Sequence, residues 1–208
     1  MIERRCVSTS VRSVGSKREI TGHAATFQTL SSNLGGFREQ IAHGCFARSI
    51  GRKDDVKMLI NHDPSLLLGR VRNSTLEVSE DHIGLRFRCL LPQTSYADDL
   101  LTSIDRRDID ECSFGFVCDD DDWDEGFDPE TGERTAIRTL RSVTLLDTSV
   151  VTYPAYPDGT SVDALRSFQF PDGLPASMPV EVRSKILAAG PITTHTARSR
   201  RLHQFILS

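Results

Sequence analysis

Residues 83–91 read IGLRFRCLL, and Ile83, Leu85, Phe87 and Cys89 alternate with Gly84, Arg86 and Arg88. Successive strand side chains point to opposite faces, so this period of two predicts a half-buried strand. Upstream, VKMLIN (56–61) predicts an apolar strand that delivers His62-Asp63 at its end, and Leu67–Arg72 and Thr75–Ser79 predict two more. EITGHAATFQT (19–29) predicts a first strand, followed by the flexible loop SSNLGG (31–36). The spacing of Phe37, Ile41, Phe46 and Ile50 predicts a short helix over 37–50, interrupted near Gly44. Downstream, Ser95 stands where an N-cap belongs before YADDLLTSIDRRDI (96–109). Asp98 and Asp99 fall near the positive end of that helix, and Arg106 and Arg107 near the negative end. CSFGFV (112–117) reads as a strand, and 134–152, rich in Val, Thr, Ile and Leu, holds one or two more. Many short strands with few helices predict a mainly β fold with flanking helices, either a β-barrel or a strongly curved sheet.

A chain of 208 residues accommodates one medium domain and an appendage. Its 38% hydrophobic content places part of the length outside a packed core. Residues 1–18 read as a flexible N-terminal arm and 19–165 as the folded domain. Residues 166–208 read as a flexible tail, because FQFPDGLPASMP (168–179) is broken by proline and TARSRRLHQFILS (196–208) is basic. A net charge of -4 points to neither a nucleic-acid-coating nor a membrane-surface protein. No stretch approaches the roughly 20 apolar residues of a membrane helix, and MIERRCVSTS has no signal-peptide run, so export is not expected. Five scattered cysteines (Cys6, Cys45, Cys89, Cys112, Cys118), odd in number and without a CxxC pair, argue against a disulfide framework and a zinc knuckle.

Nucleophilic hydrolysis needs a hydroxyl or thiol, an imidazole to take its proton, and a group to orient the imidazole. Of six histidines, only His62 sits at a strand terminus, in the turn Asn-His-Asp-Pro. Its competing reading is a turn histidine paired with Asp63. Ser113 is either a nucleophile or an ordinary buried strand serine, and Gly115 two places on permits close backbone approach. Cys112 is an alternative thiol nucleophile, but adjacent strand residues face opposite ways, so only one of the two can serve. Asp147, in LLDTSVVTYPAY (145–156), is costly to bury unless paired, and an imidazolium is a fitting partner. The alternative is a strand-end aspartate capping a turn. The run DDDDWDEGFDPETGE (119–133) fails as a calcium loop, since Glu125 stands at the glycine position and Thr131 at the last ligand position. It reads instead as a solvated hairpin loop turning at Asp128-Pro129. No P-loop, dinucleotide fingerprint or HExxH occurs, and no cofactor or metal is expected.

Together these segments resemble the phage prohead (capsid maturation) serine proteases, distant relatives of herpesvirus assemblin. The resemblance runs in order through GHAATF, FREQIAHGCFARSI, LINHDPSLLLGRV, TLEVSEDHIGLRFRCLLPQTSYADDLLTSI, IDECSFGF and LLDTSVVTYPAYPDG, covering about residues 19 to 163. It implies His62 of the NHD motif and Ser113 of the SFGF motif as the catalytic pair. Asp147 matches the third position, where that family commonly has glutamate. AHGCF also departs at His43 and Cys45, where a proline and an alanine are expected, and a cysteine precedes the nucleophile. The resemblance implies a closed assemblin-type barrel, a homodimer or higher oligomer, a 166–208 tail that serves as a packaging signal or self-cleavage segment, and action inside the immature capsid in the host cytoplasm. Its implied substrates are the scaffolding region of the major capsid protein and the protease itself. Arg141, from the 138–141 segment, is a candidate oxyanion donor beside backbone amides. Two rival readings remain at this level: a protease-fold assembly protein that does not cut, and an esterase, the latter weakened by the absence of GxSxG.

Overall fold

In the segment C-S-F-G-F the period of two assigns Cys112, Phe114 and Phe116 to one face of a strand and Ser113 and Gly115 to the other. The computed structural model, which describes residues 2–7, 11–14, 17–34, 36–152 and 177–189, bears this out. Cys112, Phe114 and Phe116 are fully buried in the main core. The Phe114 and Phe116 rings stack at 5.1 Å, and Phe46 meets Phe114 edge-on at 5.4 Å. Each buried phenylalanine contributes about 1.5–3 kcal/mol, so this face fixes the strand and leaves the other for chemistry.

The strands are β1 (Glu3–Val7), β2 (Arg12–Val14), β3 (Lys17–Thr26), β4 (Phe37–Ile41) and β5 (Lys57–Ile60). They continue with β6 (Asp63–Arg70), β7 (Leu76–Glu80), β8 (Gly84–Leu90), β9 (Glu111–Phe127) and β10 (Arg134–Val151). The helices are α1 (Ala47–Gly51), α2 (Ser95–Asp105) and α3 (Val180–Ala189). One sheet runs β1-β9-β10-β5-β6, and the second runs β2-β3-β8-β7. β9 and β10 form a long antiparallel hairpin. β4 pairs in parallel with the first part of β10, and β5 in parallel with its last part.

The fold is mainly β with few helices, as expected, but the closed barrel is not formed. The first sheet curls into a half-barrel. At its ends β1 lies against β3 and β6 against β7 and β8, yet no strand pairing joins the two sheets among the described residues. Closure needs continuous ladders at a common stagger, and between the two sheets the described residues form only isolated main-chain bonds, such as Gln28 N–H to the Ile41 carbonyl and Thr75 N–H to the Arg70 carbonyl.

Three local expectations also change. The helix expected over 37–50 is strand β4 followed by the single turn α1. Phe37 and Ile41 are four apart, which places them on one face in either structure. Pairing with β10 then decides for strand. Thr94, not Ser95, precedes α2 at the N-cap, and its side chain makes no cap bond. The acidic run is strand as far as Phe127 rather than loop. Its carboxylates meet cross-strand arginines of β10, Asp121 with Arg138, Asp122 with Arg141 and Glu125 with Arg134.

The turn does fall at Asp128. Its carboxylate accepts the Glu130 and Thr131 amides and both arms of the buried Arg38 guanidinium. The Arg38 hydrogen bonds hold the Asp128 carboxyl down at about 2. A depressed carboxylate contributes stability above its unfolded value near 4, and that contribution is lost as pH falls through its folded value. The stability gap between wild type and Asp128→Asn is therefore expected to close between about pH 4 and 2. Urea unfolding followed by Trp123, the single tryptophan, measures it.

Within the stretch read as an arm, Glu3–Val7 form β1 and Arg12–Val14 form β2. Within the stretch read as a tail, Met178 is buried against Leu34 and Phe37 beside Trp123 and Val182, and α3 follows. The YPAYP ending and the basic end at 196–208 lie outside the described residues.

Candidate active site

β5 and β6 are joined by only Asn61 and His62, with Ile60 opposite Asp63. Both loop residues have positive φ, +51° and +56°, the pattern of the type I′ turn that suits twisted hairpins. Asparagine and histidine are among the side chains that tolerate this region. Asn61 ties the turn to the end of β10. Its amide N–H donates to the Val150 carbonyl, its Oδ1 accepts from the Thr152 amide, and its Nδ2 donates to Thr152 Oγ1. His62 is thus held over the strand that carries Asp147.

A β-bulge aims the carboxylate. Leu145 pairs with Phe116 and Asp147 with Gly115, leaving Leu146 as the extra residue. Without that insertion, residue 146 would stand opposite Gly115 and Asp147 would point away. Further along, Ser149 stands opposite Ser113.

These devices bring three side chains into line. His62 Nδ1 lies 2.6 Å from Asp147 Oδ1, and His62 Nε2 lies 2.6 Å from Ser113 Oγ. With Nδ1–H donating to the carboxylate, Nε2 is left as the acceptor facing the hydroxyl. Ser113 is 2% exposed, and the His62 and Asp147 side chains 12% and 13%. In this low-dielectric setting the pairing is strengthened. Asp63, the competing partner for His62, instead accepts from the backbone and hydroxyl of Ser65. Cys112 points into the core. The remaining expectation is not met: Arg141 pairs with Asp122 at an exposed position eight residues before Ser149 on β10, about 26 Å of strand. Arg138 is locked among Glu3, Glu39 and Asp121.

Two further residues shape this arrangement, Gly115, which the sequence marked only for close backbone approach, and Ser149, which it did not mark. Gly115 leaves room for the carboxylate, since a Cβ there would lie 2.3 Å from Asp147 Oδ2. Ser149, fully buried, donates from Oγ to Asp147 Oδ1 at 2.9 Å and lies 3.2 Å from His62 Nδ1. Its signal was available, because it stands two residues after Asp147 and so on the same strand face. Ser149→Ala removes one hydrogen bond, worth on the order of 1 kcal/mol, and is expected to lower kcat about fivefold with KM little changed. Steady-state kinetics on a peptide substrate check this.

A serine, an imidazole and a carboxylate in hydrogen-bonded series, carried by a mainly β fold, define a serine-hydrolase type of site. Residues 7–170 match the family model described as caudovirus prohead serine protease, and the chain belongs to that family. The family is one of serine peptidases acting in capsid maturation. No curated protein and no solved structure matches the chain.

Proposed function

We infer that the chain is a serine endopeptidase that cleaves the scaffolding region of the major capsid protein, and itself, inside the immature capsid. The observation that carries this reading is the unbroken series Asp147–His62–Ser113, with both links at 2.6 Å. Ser113 Oγ attacks the scissile carbonyl carbon while its proton passes to His62 Nε2. Collapse of the tetrahedral adduct breaks the C–N bond, and the leaving amine takes that proton. Water then hydrolyses the acyl ester by the same route, regenerating Ser113. Asp147 keeps Nδ1 protonated and stabilises the imidazolium. No step calls for a metal or cofactor. The resemblance extends the proposal to a homodimer.

Co-expression with the neighbouring coat protein, wild type against Ser113→Ala, tests the reading through intact masses. Shortening of the coat protein with the wild type alone supports it. Full-length coat protein in both cases, with particles still forming, favours an assembly protein that does not cut.

A further inference from the structure

A nucleophile that attacks peptides must be reached by a carbonyl group, yet Ser113 is 2% exposed. The element beside it is β1, the edge strand of the first sheet, paired antiparallel with β9 so that Cys6 stands opposite Ser113. Its Arg5 carbonyl oxygen lies 2.9 Å from Ser113 Oγ. That hydrogen-bonded carbonyl occupies the space beside Oγ into which a substrate carbonyl carbon would have to come.

The contact also competes for a proton. Ser113 has one hydroxyl hydrogen, and two acceptors face it, His62 Nε2 at 2.6 Å and the Arg5 carbonyl at 2.9 Å. A hydroxyl that donates to Arg5 does not hand its proton to the imidazole. β1 thus fills the approach to the nucleophile and draws on the hydrogen bond that activates it.

We propose that the edge of β9 at 112–116 is where an extended peptide substrate adds as an antiparallel strand, and that β1 is the segment of this chain that occupies it, keeping the enzyme latent until β1 leaves. The proposal rests on the endopeptidase reading above. Strand addition gives affinity through main-chain hydrogen bonds, and the antiparallel pairing of β1 displays that geometry already. β1 is anchored by two buried pairs, Arg5 with Glu39 and Glu3 with Arg138, each at 2.6 Å, so its departure has to break both, but the charges stay balanced when it leaves. Glu3 and Arg5 pair with each other at 2.7 Å, and Arg138 keeps Glu39 and Asp121 as partners. When β1 lifts, one acid and one base leave together, and no lone charge stays buried. β1 also lies, except for Val7, before the region that matches the family.

The test uses the full chain and a fluorophosphonate, which bonds its phosphorus to Ser113 Oγ as fluoride departs and the proton is released. Neighbouring strand residues direct their N–H groups to opposite sides, so of Cys6→Pro and Val7→Pro one removes a hydrogen bond to β9. At least one variant is expected to label tenfold faster or more than wild type. A synthetic peptide of residues 2–7, added in excess, should slow that variant again. In wild type, driven to full labelling, amides of residues 2–7 should lose hydrogen-exchange protection while those of β3 and β8 keep it. This second measurement needs no substitution and stands if the proline variants fail to fold. Persistent protection of residues 2–7 in the labelled enzyme, or equal labelling of wild type and folded variants, overturns the proposal and leaves the endopeptidase reading intact. A Ser113 that never labels, in any form, overturns both.

Discussion

Ser113→Ala is expected to lower kcat on a cleavable peptide about ten-thousandfold or more, with little change in KM. In the proposed mechanism the oxygen removed is the atom that forms the acyl bond, and neither His62 nor Asp147 can substitute for it. The loss in stability is small by comparison. Alanine fits the serine's volume, and the packing of β9 rests on Cys112, Phe114 and Phe116 on its other face. A melting temperature within a few degrees of wild type is expected, a shift of 1 kcal/mol being worth about 2–4 °C at this size. Cys112→Ala shows the reverse pattern: it hollows the core and destabilises, while turnover persists. Parallel kinetics and thermal melts separate the two. Full activity in Ser113→Ala with loss in Cys112→Ala overturns the assignment of the nucleophile.

Gly115→Ala carries the second large effect, from a single methyl group. A Cβ at this position would lie 2.3 Å from Oδ2 and 3.1 Å from Cγ of Asp147, closer than carbon and oxygen atoms pack. The carboxylate is the end of a short side chain and can swing aside, so the fold absorbs the methyl. Catalysis cannot, because the same swing breaks the 2.6 Å link to His62 Nδ1 and withdraws the group that fixes the tautomer. A fall in kcat of about 100- to 10,000-fold is expected, the upper end being what loss of the triad carboxylate costs elsewhere. The melting temperature should move by only a few degrees. Unchanged kcat in a folded Gly115→Ala protein would show that Asp147 does not act through this contact.

The candidate residues His62, Ser113 and Asp147, which the structure brings together, were legible where one residue type in one local setting was enough. His62 stood out because a strand end and an Asn-His turn both fix and expose a side chain. Ser113 was set apart from Cys112 only in that one of the two had to face away. Asp147 was marked by the cost of burying a carboxylate among apolar neighbours. Ser149 was missed although it shares a strand face with Asp147, and Gly115, singled out for close backbone approach, was not read as room for a carboxylate because that carboxylate comes from another strand. The acidic run misled for the same reason, since its charges read as solvated until the arginines of β10 are placed across from them. Arg141 misled in the opposite direction: closeness in sequence to Asp147 is distance along a straight strand.

What the sequence determined by itself was the mainly β character, the hairpin turn at Asp128, the core face of β9 and the residue types able to perform hydrolysis. All of these are local, set by the period of two, by turn chemistry and by side-chain pKa and desolvation. What only the tertiary structure decided was the open half-barrel, the conversion of 37–41 from helix to strand, the bulge that aims Asp147 and the placing of β1 across Ser113. Each depends on which strand lies beside which. Pairing partners far apart in sequence leave no periodic trace in either one alone, because the ladder is made by backbone groups that every residue carries.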